Sequence, residues 1–333
     1  MGLRVVITGA TGNVGTALVR ALETDDGVDE VLGLARRVRG VDLGLAKLRL
    51  HHADVSESDL AALFHGADAV VHLAWALQPA HDRATLHRTN VIGSERVLDA
   101  AAAAAVGRVV VASSVGAYAP GPKDRLVGED WPVTGVPTST YSRDKAALEQ
   151  LCDRFGDRLR IARLRPALIF QRSSAMEQRR LFAGRLLPTS PWHRRLWPVV
   201  PWLRGLRFQA VHADDVAEAY RRALHADAVG AFNIAADPVI SGAEVASLVH
   251  ARPVQLPASV ARAGHAAGFR LHLIASEPGW LDLARASPLI SAERARAVLG
   301  WAPRHSSTAT LQELAGGLRE RVEGPTPALA ATT

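Results

Sequence analysis

The sequence predicts an α/β protein: a doubly wound parallel sheet with a smaller, mainly helical C-terminal region that holds the substrate. Three observations carry that reading. Short, β-branched apolar runs alternate with helical patterns through the first half of the chain, the rhythm of βα units covered by helices on both faces. A glycine-rich turn at residues 9–15 joins the first run to the first helical pattern. After Pro166 the rhythm stops and gives way to a stretch rich in Arg, Pro and Trp.

Taken in order, Leu3–Thr8 reads as a buried strand and Val14–Leu22 as a helix. Glu30–Ala35 and Lys47–His52 read as the second and third strands. Ser56 stands as the N-cap of a helix stopped at His65-Gly66, and Asp68–Ala74 is the fourth strand. One long helix is expected over Arg83–Ala105, a fifth strand over Arg108–Ser113, a helix over Ser142–Phe155 and a sixth strand over Leu159–Leu164. Residues 171–207 are expected to form a lid. Phe208–Ala217 returns to strand and helix, Ala231–Ala235 is a further strand, and 241–323 is mainly helical, with a cap at Ser291. The expected organisation is a dinucleotide-binding domain over 1–165, completed by about 206–236, a substrate region over 166–205 and 237–324, and a disordered tail over 325–333.

Composition narrows the function. Of 333 residues, 48% are hydrophobic, enough for a sizeable core without disulfides or metal, and no metal is expected. The single cysteine, Cys152, has no intrachain partner and falls in a helical pattern, which points to a reducing compartment and a core position. No signal peptide is visible, and the longest apolar run, Ala100–Val106, is too short to span a bilayer, so a cytoplasmic protein without a membrane partner is expected. The net charge of +6 comes almost wholly from arginines, which are scattered along the chain. That argues for an anionic cofactor or substrate and against a nucleic-acid partner.

The glycine turn has the spacing G-x-x-G-x-x-G, directly after a strand and opening a helix. Gly9 and Gly12 permit a tight turn and close backbone approach; Gly15 lets the helix pack on the strand. The helix N-terminus then offers free N–H groups to a pyrophosphate, so Gly9, Thr11, Gly12, Asn13, Val14 and Gly15 are candidate cofactor contacts of a Rossmann-type domain. Where an acidic residue would bind the ribose hydroxyls of NAD, the second strand ends in Ala35-Arg36-Arg37. Arg36 can pair with a 2′-phosphate, so NADP(H) is preferred; with Arg36 as a solvated charge, NAD(H) remains possible. Asp54 and Val55, after the third strand, either meet the adenine or cap the following helix.

Tyr141 and Lys145 form Y-x-x-x-K at the start of a helix, on one face. A lysine beside a phenol lowers its pKa and makes Tyr141 a general acid/base. Ser113-Ser114, at the end of the fifth strand, can hold a substrate oxygen.

Together, the segments TGATGNVG, HLAW, NVIGS, ASSVGAY, YSRDK, RLRP and VHADDVA, in that order, resemble the extended short-chain dehydrogenase/reductases, a group that is NAD-dependent epimerase/dehydratase-like. The resemblance covers about residues 3–217, and ISAERARAVLGWAP resembles the family's C-terminal region. It implies catalysis by Ser114, Tyr141 and Lys145, with Asn90 supporting a water network or simply packing a helix. It places Leu73, Ala74 and Pro166 beside the cofactor and Lys145 on the nicotinamide ribose. Phe170-Gln171-Arg172 replaces the usual Tyr-Gly-Pro. Val115-Gly116 stands where sugar dehydratases carry an Asp-Glu pair, which disfavours dehydration. The implied activity is an NADP(H)-dependent oxidoreductase acting on a small-molecule carbonyl or secondary alcohol. The alternative is a nucleoside-diphosphate-sugar epimerase with retained NAD, its diphosphate held by the arginines of 172–207; a non-enzymatic dinucleotide sensor is a third class. Trp192, Trp197 and Trp202 either line an apolar pocket or pack. The resemblance further implies a homodimer through the helices at 83–105 and 142–155.

Overall fold

The computed structural model describes residues 2–78, 81–183, 199–248 and 250–330. The chain runs β1 (Leu3–Thr8), α1 (Asn13–Glu23), β2 (Val28–Ala35), β3 (Leu48–His52), α2 (Leu60–Phe64), β4 (Ala69–His72), α3 (Arg83–His87), α4 (Gly93–Ala103) and β5 (Arg108–Ala112). There follow β6 (Leu126–Val127), α5 (Thr140–Arg154), β7 (Ile161–Pro166), β8 (Leu168–Phe170), α6 (Ala175–Gln178), β9 (Val199–Leu203), β10 (Ala210–His212), α7 (Ala213–His225) and β11 (Gly230–Ile234). The C-terminal part adds α8 (Gly242–Leu248), β12 (Arg252–Leu256), α9 (Ala258–Arg270), α10 (Gly279–Ala286), β13 (Leu289–Ile290), α11 (Glu293–Leu299) and α12 (Ser307–Glu320).

Seven of these strands form one parallel sheet in the order β11-β7-β5-β4-β1-β2-β3. The order reverses beside β1, which leaves a crevice at its carboxyl end. Side chains alternate along β1: Val5 and Ile7 join Leu18, Leu22, Val216 and Tyr220 under α1 and α7, while Val6 joins Val97, Leu98 and Leu148 under α4 and α5. Both faces are thus buried, which is why the central strands read as continuous apolar runs.

Four expectations are corrected. The second helix starts after Asp59, whose carboxylate accepts from Ala62 N, because the Ser56 hydroxyl is bound to Asp54 instead. The long helix over 83–105 is interrupted by a π turn at Arg88–Ile92. Strand β10 pairs with β8 in a separate ladder rather than with the main sheet. The tail packs through residue 330: Leu329 is fully buried, and the buried Thr326 hydroxyl donates to Thr11 O at 2.7 Å. Among the described residues, no helix is long and apolar enough to cross a membrane. No group of three or more His, Cys, Asp or Glu is placed there to hold a metal. Trp192, Trp197, Arg185, Arg194 and Arg195 of the expected lid lie outside the described residues.

Candidate active site

The glycine turn is shaped by contacts that exclude side chains. Gly9 has φ +77°, and a Cβ there would sit 2.7 Å from Ala74 N. At Gly15 a Cβ would lie 2.3 Å from Gly9 O, so the helix can press onto the loop only without one. At Gly12, by contrast, a Cβ would meet nothing nearer than Gly9 O at 3.4 Å. Open space therefore lies over Gly12, at the N-terminus of α1, where no side chain caps the free N–H groups. A pyrophosphate fits that cradle. Val14 packs into the core. The Asn13 side chain is turned away: its Nδ2 donates to Ile169 O at 3.3 Å and its Oδ1 accepts from Gln171 Nε2 at 2.7 Å. Asn13 can offer a ligand only its backbone. Gln171, in the segment that departs from the family pattern, thus anchors its own loop to the glycine turn.

At the end of β2, Arg36 and Arg37 are exposed. Partial burial lowers the pKa of Arg37, as do the neighbouring positive charges of Arg180 and Arg36. Three mutually repelling guanidiniums at this edge suit an anion. Asp54 does not cap the following helix, whose N-cap is Asp59; its carboxylate closes the turn before it, accepting from Ser56 N at 2.9 Å and Ser56 Oγ at 2.6 Å. Burial raises its pKa, but these bonds outweigh that and hold it below the usual range. Val55 is buried against Gly93.

Ser114, Tyr141 and Lys145 come together at the carboxyl end of β5. The Ser114 hydroxyl accepts from Gly116 N at 3.0 Å and stands beside the Tyr141 ring. Burial pushes the Tyr141 phenol up to about 12, while the neighbouring Ser114 hydroxyl opposes the rise. Lys145 Nζ lies 5.9 Å from the centroid of the Tyr141 ring. It donates to Ala112 O at 2.6 Å and sits 3.4 Å above the Trp75 ring. Burial brings Lys145 down to about 7, though Glu149 favours its charge.

Asn90 lies in the π turn, fully buried, and clamps one peptide unit from both sides: Oδ1 accepts from Ala76 N at 2.7 Å and Nδ2 donates to Ala76 O at 2.9 Å. These bonds tie the π turn to the loop after β4. Leu73 N donates to Thr8 O at 3.0 Å, Ala74 N to Thr8 Oγ1 at 3.3 Å, and His72 is a bonded core residue between Thr8 and Ser94. Burial holds His72 at about 3, hence neutral. Pro166 ends β7 beside Ile234. Arg165 points inward, not at the crevice: Nε and Nη2 each reach Glu149 at 2.8 Å and Nη1 reaches the Tyr118 hydroxyl at 2.9 Å. Ser113 closes the same network on Glu149. Sequence reasoning missed Glu149, Glu277 and Trp280, whose spacing carries no local signal: the Glu277 carboxylate accepts from Thr140 N at 2.7 Å and Thr140 Oγ1 at 3.0 Å, and the Trp280 ring lies 4.7 Å from that of Tyr141.

A model of the NAD dependent epimerase/dehydratase family matches residues 5–235. The chain belongs to that family. Its glycine turn, Ser114, Tyr141, Lys145 and the inward Arg165 all fall inside the matched region. Among curated proteins, it is 31% identical over 165 residues to an L-arabinose 1-dehydrogenase (NAD(P)(+)) of Haloferax volcanii, covering 46% of this chain and 62% of that protein. It is also 31% identical over 157 residues to a UDP-glucose 4-epimerase of Mycolicibacterium smegmatis, covering 44% and 49%. The matches thus span about half to three fifths of those relatives. Among solved structures, a UDP-N-acetylglucosamine 4-epimerase from Methanobrevibacter ruminantium superposes with TM-score 0.71 at 16% identity, covering 96% of this chain and 99% of that one. A UDP-glucuronic acid 4-epimerase from Bacillus cereus in complex with NAD gives 0.70 at 16% identity, covering 96% and 100%. At such identities the superpositions show a shared fold and no more.

Proposed function

We propose that this family member is a nicotinamide-dependent oxidoreductase that interconverts a carbonyl and a secondary alcohol, with NADP(H) preferred. The observation that carries the reading is the Ser114 hydroxyl and the Tyr141 ring meeting over Gly116, with Lys145 one helical turn from Tyr141. When bound, the nicotinamide supplies or accepts the hydride. Gly12 and the start of α1 hold its pyrophosphate, and Arg36, beside Arg37 and Arg180, holds the 2′-phosphate. Ser114 orients the substrate oxygen. Tyr141, held neutral by burial, donates its proton as negative charge develops there, which suits the reduction direction. A positive Lys145 on the same face eases that transfer, and Ala112 O keeps its stem in place.

The epimerase reading draws on the UDP-glucose 4-epimerase relative. Against it, three of the described arginines of the lid face other partners: Arg172 binds Glu320, Arg180 donates to Ala328 O and Arg207 donates to Lys123 O. The deciding experiment is to denature the purified protein, identify any released dinucleotide, and titrate stripped protein with NADP and NAD. Empty protein that favours NADP supports the reductase; NAD retained at near one per chain supports the epimerase. Tyr141→Phe is expected to lose about a thousandfold in turnover while binding cofactor normally, and retained turnover would refute the proton-transfer role. For assembly, we infer a homodimer through α4 and α5, which a monomeric mass in light scattering would reject.

A further inference from the structure

Two carbonyls of the glycine turn are held from outside by residues far along the chain. The Thr326 hydroxyl, itself buried, donates to Thr11 O at 2.7 Å. Gln171 Nε2 donates to Asn13 O at 2.9 Å, which also accepts from the Thr16 hydroxyl at 3.2 Å. Thr11 and Asn13 flank Gly12, the residue over which the cradle is open.

Both donors are themselves fixed. Gln171 is buried, and its Nε2 also reaches Asn13 Oδ1 at 2.7 Å. The segment after α12 folds back on itself: Leu329 N donates to Thr326 O at 3.0 Å and Gly324 N to Leu329 O at 3.3 Å. Leu329 is fully buried and presses on Gly324, where an added Cβ would lie 2.4 Å from it. Arg180, a neighbour of Arg37, donates to Ala328 O at 3.1 Å.

A trans peptide points its N–H opposite to its C=O. A donor on Asn13 O therefore also sets the direction of the Val14 N–H, one of the groups that the uncapped first turn of α1 leaves without a carbonyl partner. Gly12 N donates to Gly9 O at 3.1 Å, so with Thr326 on Thr11 O that peptide is gripped at both ends. A glycine-rich turn has many peptide orientations, and an anion bound by backbone N–H groups loses affinity in fixing them unless they are fixed beforehand. We propose that Gln171 and Thr326 are positioning residues of the dinucleotide site: with segment 324–330 as a strap, they preset the peptides of the turn that receives the pyrophosphate. The proposal rests on the cofactor site of the oxidoreductase reading and not on its substrate.

The test titrates stripped protein calorimetrically with NADPH and with NADH. Thr326→Val, which keeps the shape and loses the hydroxyl, and Gln171→Leu are each expected to weaken both dinucleotides at least about fivefold and by the same factor, because both carry the pyrophosphate. Thr326→Ser should return affinity to within about twofold of wild type. Stoichiometry near one separates this from a merely structural role, which would lower the folded fraction or the melting temperature and leave the affinity of the folded protein unchanged. A second measurement needs no variant: saturating NADPH should slow hydrogen exchange of the wild-type Leu329 amide at least about fivefold, because the coupling is reciprocal. Wild-type affinity in both variants, a loss confined to NADPH, or Leu329 exchange indifferent to NADPH would overturn the strap and leave the oxidoreductase reading standing. Wild-type protein that binds neither dinucleotide would sink that reading and the strap with it.

Discussion

Replacing Gly116 with alanine tests the position of Tyr141 while leaving every side chain of the proposed chemistry in place. Gly116 lies in the short turn after Ser114, and a Cβ there would sit 2.8 Å from Tyr141 Cε1 and 3.3 Å from both Cδ1 and Ser114 Oγ. Ordinary contact begins at 3.4 Å, so the ring edge must retreat by about 0.6 Å, toward a Trp280 ring already 4.7 Å from its centroid. Overpacking of this kind costs about 1–3 kcal/mol, and a displacement approaching 1 Å at a reacting group costs about a hundredfold in rate. The expected result is a kcat lower by about 10- to 100-fold, with NADPH affinity within about twofold of wild type, because the glycine turn lies on another loop. Nicotinamide absorbance gives the first quantity and calorimetry the second. A wild-type kcat would mean that the phenol does not act from the place described, and would refute the reasoning.

Other changes probe separate parts. Arg36→Ala should weaken NADPH binding by about 10- to 100-fold and leave NADH nearly unchanged, as a charge-assisted contact to a single phosphate would; equal losses for both cofactors would remove Arg36 from the 2′-phosphate. Arg165→Met should cost about 3–5 kcal/mol in denaturant unfolding by stranding the buried Glu149, and adding Glu149→Leu should restore part of it; a double variant weaker than the single would refute the pairing. Glu177 is largely buried, with Oε2 unpartnered among the described residues, and burial raises its pKa to about 7 although Arg180 opposes the rise. Between the ordinary carboxylate range and about pH 7 the folded chain keeps a proton that the unfolded chain has lost, so this group's contribution to stability falls as pH rises through that window. Glu177→Gln should remove the fall, worth up to about 3 kcal/mol, and an unchanged pH profile would contradict it.

The sheet was readable from sequence because both of its faces are covered, so each strand is an unbroken apolar run of the right length. The phosphate cradle and the Tyr141–Lys145 pair were readable for a different reason: each is local, written within a few residues. What sequence hid is non-local or degenerate. Asp54, Ser56, Ser58 and Asp59 are all able caps, and only the structure shows that Asp59 takes the helix. The π turn at 88–92 leaves the apolar pattern of a helix nearly intact, so its effect, aiming Asn90 at Ala76, has no signature. Glu149 reads as an ordinary helix-surface acid until β7 brings Arg165 against it. Trp280 gave no signal, and the tail looked disordered, because their partners lie more than a hundred residues away.

The link from Glu277 to Thr140 gives the molecule a common datum. The Tyr141 phenol and the Trp280 indole are both referenced to the first turn of one helix, so neither can drift relative to the other. The segment just upstream is held from its surface alone: α9 has no buried residue along its whole length, while Arg262 Nε donates to the Asp282 carboxylate at 3.0 Å and His265 Nε2 bonds Ser276 O at 2.8 Å. Sequence can therefore be exchanged along the rest of α9, as a cassette replaced between fixed bolts, provided Arg262, His265, Glu277 and Gly279 stay where they are.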